Sequence, residues 1–213
     1  MESTFLNLEK LCKSRSSCRR FKPGNIPESA IEKIITIAKL SPYAGGRKNW
    51  DILAITDQTL KQSMANAIEE KIESATRDMD KAEAAMFRDY GKNFLFFTQA
   101  PVTFAVFMEP YISAADTIMR DHGLSQAEID HQRGRTDYQS IGAAIQNLLL
   151  AAHAMGYGGC WMCGPVVAAD AINQLLEVEP PYSLVALVPV GVPAENPPQR
   201  PRKSLEEVFK LVK

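Results

Sequence analysis

The stretch YQSIGAAIQNLLLAAHAMGYGGCWMCGP, residues 138–165, carries the strongest helical pattern in the chain and the turn that ends it. Ile141, Ala144, Ile145, Leu148, Ala152 and Met155 recur at helical spacing, which predicts a helix over 138–158. Leu149, Leu150 and Ala151 fall outside that stripe, so the helix is apolar around most of its circumference. Such a helix must be buried, either centrally or against a second subunit. Gly156 to Gly159 supply the stop.

Beyond the glycines, Cys160 and Cys163 form a C-x-x-C pair. Such a pair works as a redox dithiol at a helix N-terminus after an early strand, or as half of a zinc site when two more ligands join it. Here it follows a buried helix late in the chain, and Cys12 with Cys18 would complete a zinc set only at an unusual spacing. Inert packing is the plainer reading of these thiols, since free cysteine commonly packs as a small hydrophobe. Gly156-x-Gly158 has Trp161 where a dinucleotide fingerprint needs its last glycine, and it follows a helix, which argues against a Rossmann site.

Working outward, APVTFAVFM (100–108) reads as a strand buried on both faces, WDILAIT (50–56) as a second strand and YSLVALVPVGV (182–192) as a third. A short helix is expected at 168–176. Asp57 has the chemistry of an N-cap for a long polar helix marked by Leu60, Met64, Ile68 and Ile72, which breaks once before Tyr90. Pro27 opens a helix that carries Ile31, Ile34, Ile35 and Ala38 on one face, and residues 4–14 carry a shorter stripe of Phe5, Leu8, Leu11 and Cys12. SPYAGGRKN (41–49) is a loop by composition. Residues 109–137 are polar with few large apolar anchors, the composition of a mobile cover over a site. Few strands separated by long helices predict an α+β sandwich with one small sheet, in a single domain over 1–213.

The 213 residues are 46% apolar, enough for a substantial core, and a net charge of −1 excludes a global positive field for nucleic acid or an acidic membrane. No apolar run approaches the roughly 18 residues of a membrane span. MESTFLNLEKLCKSR lacks the pattern of an export signal, and with four cysteines this points to a reducing cytoplasm and free thiols. His122, His131 and His153 form no metal-binding pair and read as structural, and neither a G-x-S-x-G elbow nor a P-loop occurs.

Two basic clusters at opposite ends of the chain are the positive candidates: Arg15, Ser17, Arg19 and Arg20, and Arg200, Arg202 and Lys203. Arginine forks beside a serine hydroxyl hold phosphate by charge-assisted hydrogen bonds. The alternative is solvated surface charge, against which Phe21 argues by tying the first cluster to a core.

Together these segments resemble the nitroreductase family of FMN-dependent oxidoreductases. RSSCRRF (15–21) resembles its R-x-S-x-R-x-F signature, and SPYAGGRKNW (41–50) resembles its second loop. The helix with its GYGGCWMCGP exit and the closing RPRKSLEEV follow in the family's order and spacing, over nearly the whole chain. The resemblance implies a nitroreductase-like sandwich with a mainly antiparallel sheet flanked by helices, in a homodimer with two FMN sites at the interface. It implies that Arg15, Ser16 and Ser17 grip the FMN phosphate together with Arg200 and Arg202, and that Arg19 lies near the pyrimidine edge. Met162, Cys163 and Gly164 would offer main-chain N–H groups to the flavin, glycine allowing close approach to the flat ring, so that the C-x-x-C spacing is incidental. Pro42, Tyr43, Ala44, Gly46 and Lys48 would reach the flavin of the other subunit, although Tyr43, Gly46, Lys48 and Asn49 stand where the family usually has other polar residues and proline. Asn93 aligns with a flavin contact.

The implied activity takes a hydride from NADH or NADPH onto FMN and passes electrons to a nitroaromatic, quinone or similar small acceptor by a ping-pong mechanism. No metal is implied. A specialised flavin enzyme of dehalogenase-like or flavin-cleaving type, a non-catalytic flavin binder and a C-x-x-C dithiol oxidoreductase are the alternatives.

Overall fold

The computed structural model describes residues 2–46 and 49–213. Helices α1 (Glu2–Ser14) and α2 (Glu28–Ala38) precede strand β1 (Trp50–Ile55), and α3 (Gln58–Ala75) and α4 (Lys81–Gly91) lead to β2 (Val102–Met108). Helices α5 (Ala114–Asp121), α6 (Gln126–Arg133) and α7 (Thr136–Ala154) come next, then a two-residue strand β3 (Gly158–Gly159). Helix α8 (Ala169–Leu175), strand β4 (Ser183–Gly191) and the single turn α9 (Leu205–Val208) follow.

The strands form one antiparallel sheet in the order β1-β2-β4-β3. The expected α+β sandwich follows from the alternation along β2, all of whose residues are buried. Val102, Phe104, Val106 and Met108 pack with α2 and α7, while Ala105 and Phe107 pack with α3 and α8. Each fully buried side chain of this size contributes about 1.5–3 kcal/mol of transfer free energy. The strand starts at Val102, two residues later than the sequence suggested, because Pro101 has no N–H to give to a ladder.

Asp57 caps α3 as expected, its carboxylate accepting from the Leu60 N–H at 2.9 Å. The anticipated break falls after Thr76, and Asp80 then caps α4 by accepting from Ala82 and Glu83. Helix α7 begins two residues before the expected start and ends at Ala154, where Gly156 at φ 83° takes the left-handed position that closes it. Leu149 and Ala151 are buried along with the main stripe, so central burial between α2 and the sheet accounts for much of its apolar circumference.

Residues 109–137 differ from their reading as a largely unanchored stretch. They hold α5 and α6, each opened by a reciprocal capping box, Ser113 with Asp116 and Ser125 with Glu128. Arg133 at the end of α6 reaches back to Asp116 at 2.9 Å and donates to the Ser113 hydroxyl at 3.2 Å. Burial pushes the Asp116 carboxyl up, but hydrogen bonds from Ser113 and Arg133 outweigh it and hold the group below the usual carboxylate range. Among the described residues no helix is long and apolar enough to cross a membrane.

Candidate active site

The segments that carry the two basic clusters are joined through Ser14 and Ser16 on one side and residues 197–199 on the other. Residues 17–22 run beside 192–194, with Lys22 N–H donating to the Val192 carbonyl and Ala194 N–H to the Arg20 carbonyl. The Ser16 hydroxyl donates to the carbonyls of Pro197 and Pro198. Gln199 donates to the Ser14 carbonyl at 2.8 Å, so the residue before Arg200 bonds the residue before Arg15. A cleft of about 260 Å³ lies here, lined by Ser17, Cys18, Arg19, Arg20, Glu195 and two prolines. Arg19, Arg200 and Arg202 are exposed, and Arg20 is engaged by Glu195 at 3.6 Å, which sets it apart from the others. His153 at the end of α7 completes this corner, its Nε2 lying 2.7 Å from the Ser14 hydroxyl. Burial, and then the nearby Arg15 charge, hold the His153 imidazole below its ordinary pKa.

From this corner the chain after α7 runs as an edge of the sheet. Ser17 bridges Gly159 in parallel, Cys18 N–H donates to the Gly159 carbonyl at 3.0 Å, and Met162 exchanges hydrogen bonds with Leu187. Gly158 must lack a side chain, because a Cβ there would fall 2.6 Å from the Cβ of Cys18. The N–H groups of Cys163 and Gly164 have no main-chain acceptor among the described residues. Gly164 is also needed for space, but the flat ring pressed against it is that of Phe94 from the same chain. The side chain of Asn93, next to Phe94, donates to the Tyr90 carbonyl at 3.0 Å.

The cysteines do not behave as a dithiol. Cys160 is buried, Cys163 is exposed, and both are free thiols. Burial pushes the thiols of Cys18, Cys160 and Cys163 up, opposite to the depressed values of reactive cysteines. Among the described residues no group of three or more His, Cys, Asp or Glu is placed to hold a metal ion.

The second loop lies elsewhere. Ala44 N–H donates to the Ser140 hydroxyl at 3.0 Å, and Gly45 at φ 62° lies against the Tyr111 ring. Pro42, Tyr43 and Gly46 are exposed, and Lys48 lies outside the described residues. Ser140 and His153 are thirteen residues apart on one helix, about 20 Å at a rise of about 1.5 Å per residue. At about 100° per residue, Ser140 also points away from Tyr138, Ile141 and Ile145, the residues of α7 that line a cavity of about 210 Å³ beside Cys163 and Trp161. Among the described residues of the loop, no hydrogen bond reaches the basic corner or the Cys163 edge.

A larger cavity of about 600 Å³ shares Tyr138, Val166 and Val185 with the one beside Cys163. Residues of α5, α6 and the start of α7 form one wall of it. The sequence reading missed the order in this wall, although S-x-x-D at 113–116 and S-x-x-E at 125–128 signalled both helices.

Comparison with known proteins bears on the fold and the family. A BluB-like flavoprotein from Clostridium difficile 630 superimposes with a TM-score of 0.88 at 32% identity, covering 97% of this chain and 99% of that one. An NADPH:FMN oxidoreductase from Vibrio harveyi, solved with NAD+, shares the fold at a TM-score of 0.67 and 19% identity, covering 97% and 77%. Iodotyrosine deiodinase of Hydra vulgaris is 26% identical over 201 residues, 92% of this chain and 69% of its own length. The sequence pattern of the Nitroreductase family spans residues 12–192, and the chain belongs to that family.

Proposed function

We propose that the protein is an FMN-dependent oxidoreductase that draws reducing equivalents from NADH or NADPH and delivers them to a small organic acceptor. The observation that carries this reading is the attachment of Ser14 and Ser16 to residues 197–199, beside Arg15 and ahead of Arg200, at one end of an edge whose other end presents the N–H groups of Cys163 and Gly164. A cationic corner and a pair of main-chain donors along one strand edge suit a ligand with a phosphate at one end and a polar ring at the other.

Acceptance and release of a hydride are the chemistry that FMN supplies when bound. The chain's own residues bind and orient it. Arg15, Ser17, Arg200 and Arg202 offer charged and hydroxyl donors to the phosphate, while Ser16 fastens the 197–198 segment across them. Arg19 supplies a fixed positive charge that stabilises a negatively charged reduced ring. Cys163 and Gly164 act through the main chain, and their side chains need no acid, base or nucleophile. Met162, expected to offer its N–H as well, has given it to the Leu187 carbonyl at 2.9 Å and holds the edge to the sheet instead. Residues 109–137 cover the cavity in which the acceptor sits, and the fold is one domain over 1–213.

The same reading makes the protein a homodimer. Under this reading loop 42–46, held by Ser140 and Tyr111, reaches the site of a second subunit. Helix α1 has no buried residue and exposes Phe5, Leu6 and Leu8, and the 205–212 segment exposes Leu205, Val208, Phe209, Leu211 and Val212, apolar surface suited to an interface.

The test is an absorbance spectrum of the purified protein with added FMN, before and after anaerobic NADH or NADPH. Flavin bands that bleach with either nucleotide support the reading, and a protein that takes up no FMN overturns it. A specialised flavin chemistry is the second reading, favoured by the 32% identity to a BluB-like flavoprotein and by the paired helices over the larger cavity. Under it, FMN binds but common quinone and nitroaromatic acceptors turn over poorly.

A further inference from the structure

We propose that Arg135 and Tyr138 form a stacking shelf that selects planar, uncharged aromatic acceptors in the larger cavity. This rests on the oxidoreductase reading above. Arg135 sits in the left-handed region, at φ 49° and ψ 58°, directly after Gly134, itself left-handed at φ 71°. A residue with a side chain costs free energy there, and such strain persists where surrounding contacts over-determine it, commonly at ligand clamps. The Arg135 carbonyl accepts from the Gln139 N–H at 3.2 Å, and the side-chain contacts act on the guanidinium. Its Nε donates to Asp137 at 3.3 Å, its Nη1 lies 3.1 Å from Asp130, and its carbon stands 4.2 Å from the centroid of the Tyr138 ring.

Asp130 and Asp137 offset the charge of the guanidinium, and its plane is more weakly hydrated than an ammonium group. The side chain remains 43% exposed on the cavity wall. Arg133 on the same wall is paired with Asp116, while Arg120 donates to the neutral amide of Gln126 and keeps its charge. At Arg135 itself two carboxylates flank one guanidinium, so an anionic ring there would lose its hydration without gaining an uncompensated cation, whereas an uncharged ring gains a stacking partner. Tyr138 is 47% exposed and borders both cavities, so a ring on this shelf lies next to the space beside Cys163. The strained backbone, the flanking carboxylates and the position between the cavities together assign Arg135 the role of a specificity-determining residue.

The experiment uses FMN-loaded protein with three oxidants: 2-methyl-1,4-naphthoquinone, a sulfonated naphthoquinone and ferricyanide, which has no ring to stack. The variants are Arg135→Gly, which suits the left-handed backbone, and Arg135→Lys, which keeps the charge and loses the plane. The expected result is that both variants raise KM for the neutral quinone about tenfold and leave the ferricyanide rate unchanged. Wild-type preference for the sulfonate, an unchanged quinone KM in both variants, or an equal loss with every oxidant overturns the proposal. Quenching of tryptophan fluorescence by the neutral quinone gives its Kd without turnover. If no nucleotide reduces the flavin, a weaker Kd in Arg135→Gly still supports the shelf, and an unchanged Kd still removes it.

Discussion

Replacing Gly164 by alanine tests the packing that shapes the candidate flavin edge. The backbone at this position is not left-handed, so only space opposes a side chain. An added Cβ would overlap three atoms of the Phe94 ring, whose edge is also held against Tyr90 with centroids 5.3 Å apart. Overpacking of this kind costs about 1–3 kcal/mol. The lost unfolded-state entropy of glycine returns about 0.4–1 kcal/mol, which leaves a net cost of about 1–2 kcal/mol. For a chain of this length that lowers Tm by about 2–8 °C, readable by circular dichroism. Phe94→Leu frees the overlapping volume, so the double variant should be more stable than the sum of the two single costs by at least about 0.5 kcal/mol. A Gly164→Ala protein as stable as wild type, or strict additivity in the double variant, refutes the reasoning.

Arg15→Ala should raise the Kd for FMN about 10- to 100-fold, the cost of one charge-assisted contact, and flavin fluorescence titration with an unchanged Kd would remove Arg15 from the phosphate site. Asp116→Asn should loosen α5 and α6 while sparing the sheet, seen as faster amide exchange at 113–133 alone. Because the Asp116 carboxyl is held below its ordinary pKa, its contribution is present above about pH 4 and is lost as pH falls through the lowered folded value. Lys61 is buried with its Nζ 2.6 Å from the Ala100 carbonyl, and burial, opposed by the Asp57 charge, lowers its pKa. The charged form is the costly one in the fold, so wild-type stability should rise relative to Lys61→Met as pH climbs toward about 10, and parallel pH profiles in urea denaturation would contradict this.

The layers were legible because their patterns are local. β2 alternates around a fully buried run, α7 repeats at helical spacing and Asp57 announces α3, all within short windows. The meeting of Arg15 with the segment before Arg200 was reached only through resemblance to a family, since no local pattern records a contact across 185 positions. Lys61 escaped notice for a related reason. A lysine is placed on the surface by default, and the carbonyl that accepts from it lies 39 positions away. The loop 42–46 was read correctly as a loop, but its attachment to Ser140 and Tyr111 depends on tertiary placement. Gly164 has a packing role that no local pattern records: a side chain there would overlap the Phe94 ring.

The bond between Gln199 and Ser14 also orders events during synthesis. Closing a loop of that length carries an entropic cost on the order of 4–5 kcal/mol from its length dependence alone. A growing polypeptide has all four strands once Gly191 has emerged, so its sheet can pair while the ribosome is still adding residues. The clasp across Arg15 cannot close until residues 197–199 follow. A nascent chain halted between these points would hold a paired sheet with the Ser14–Gln199 bond still open, so the basic corner is assembled only after the sheet.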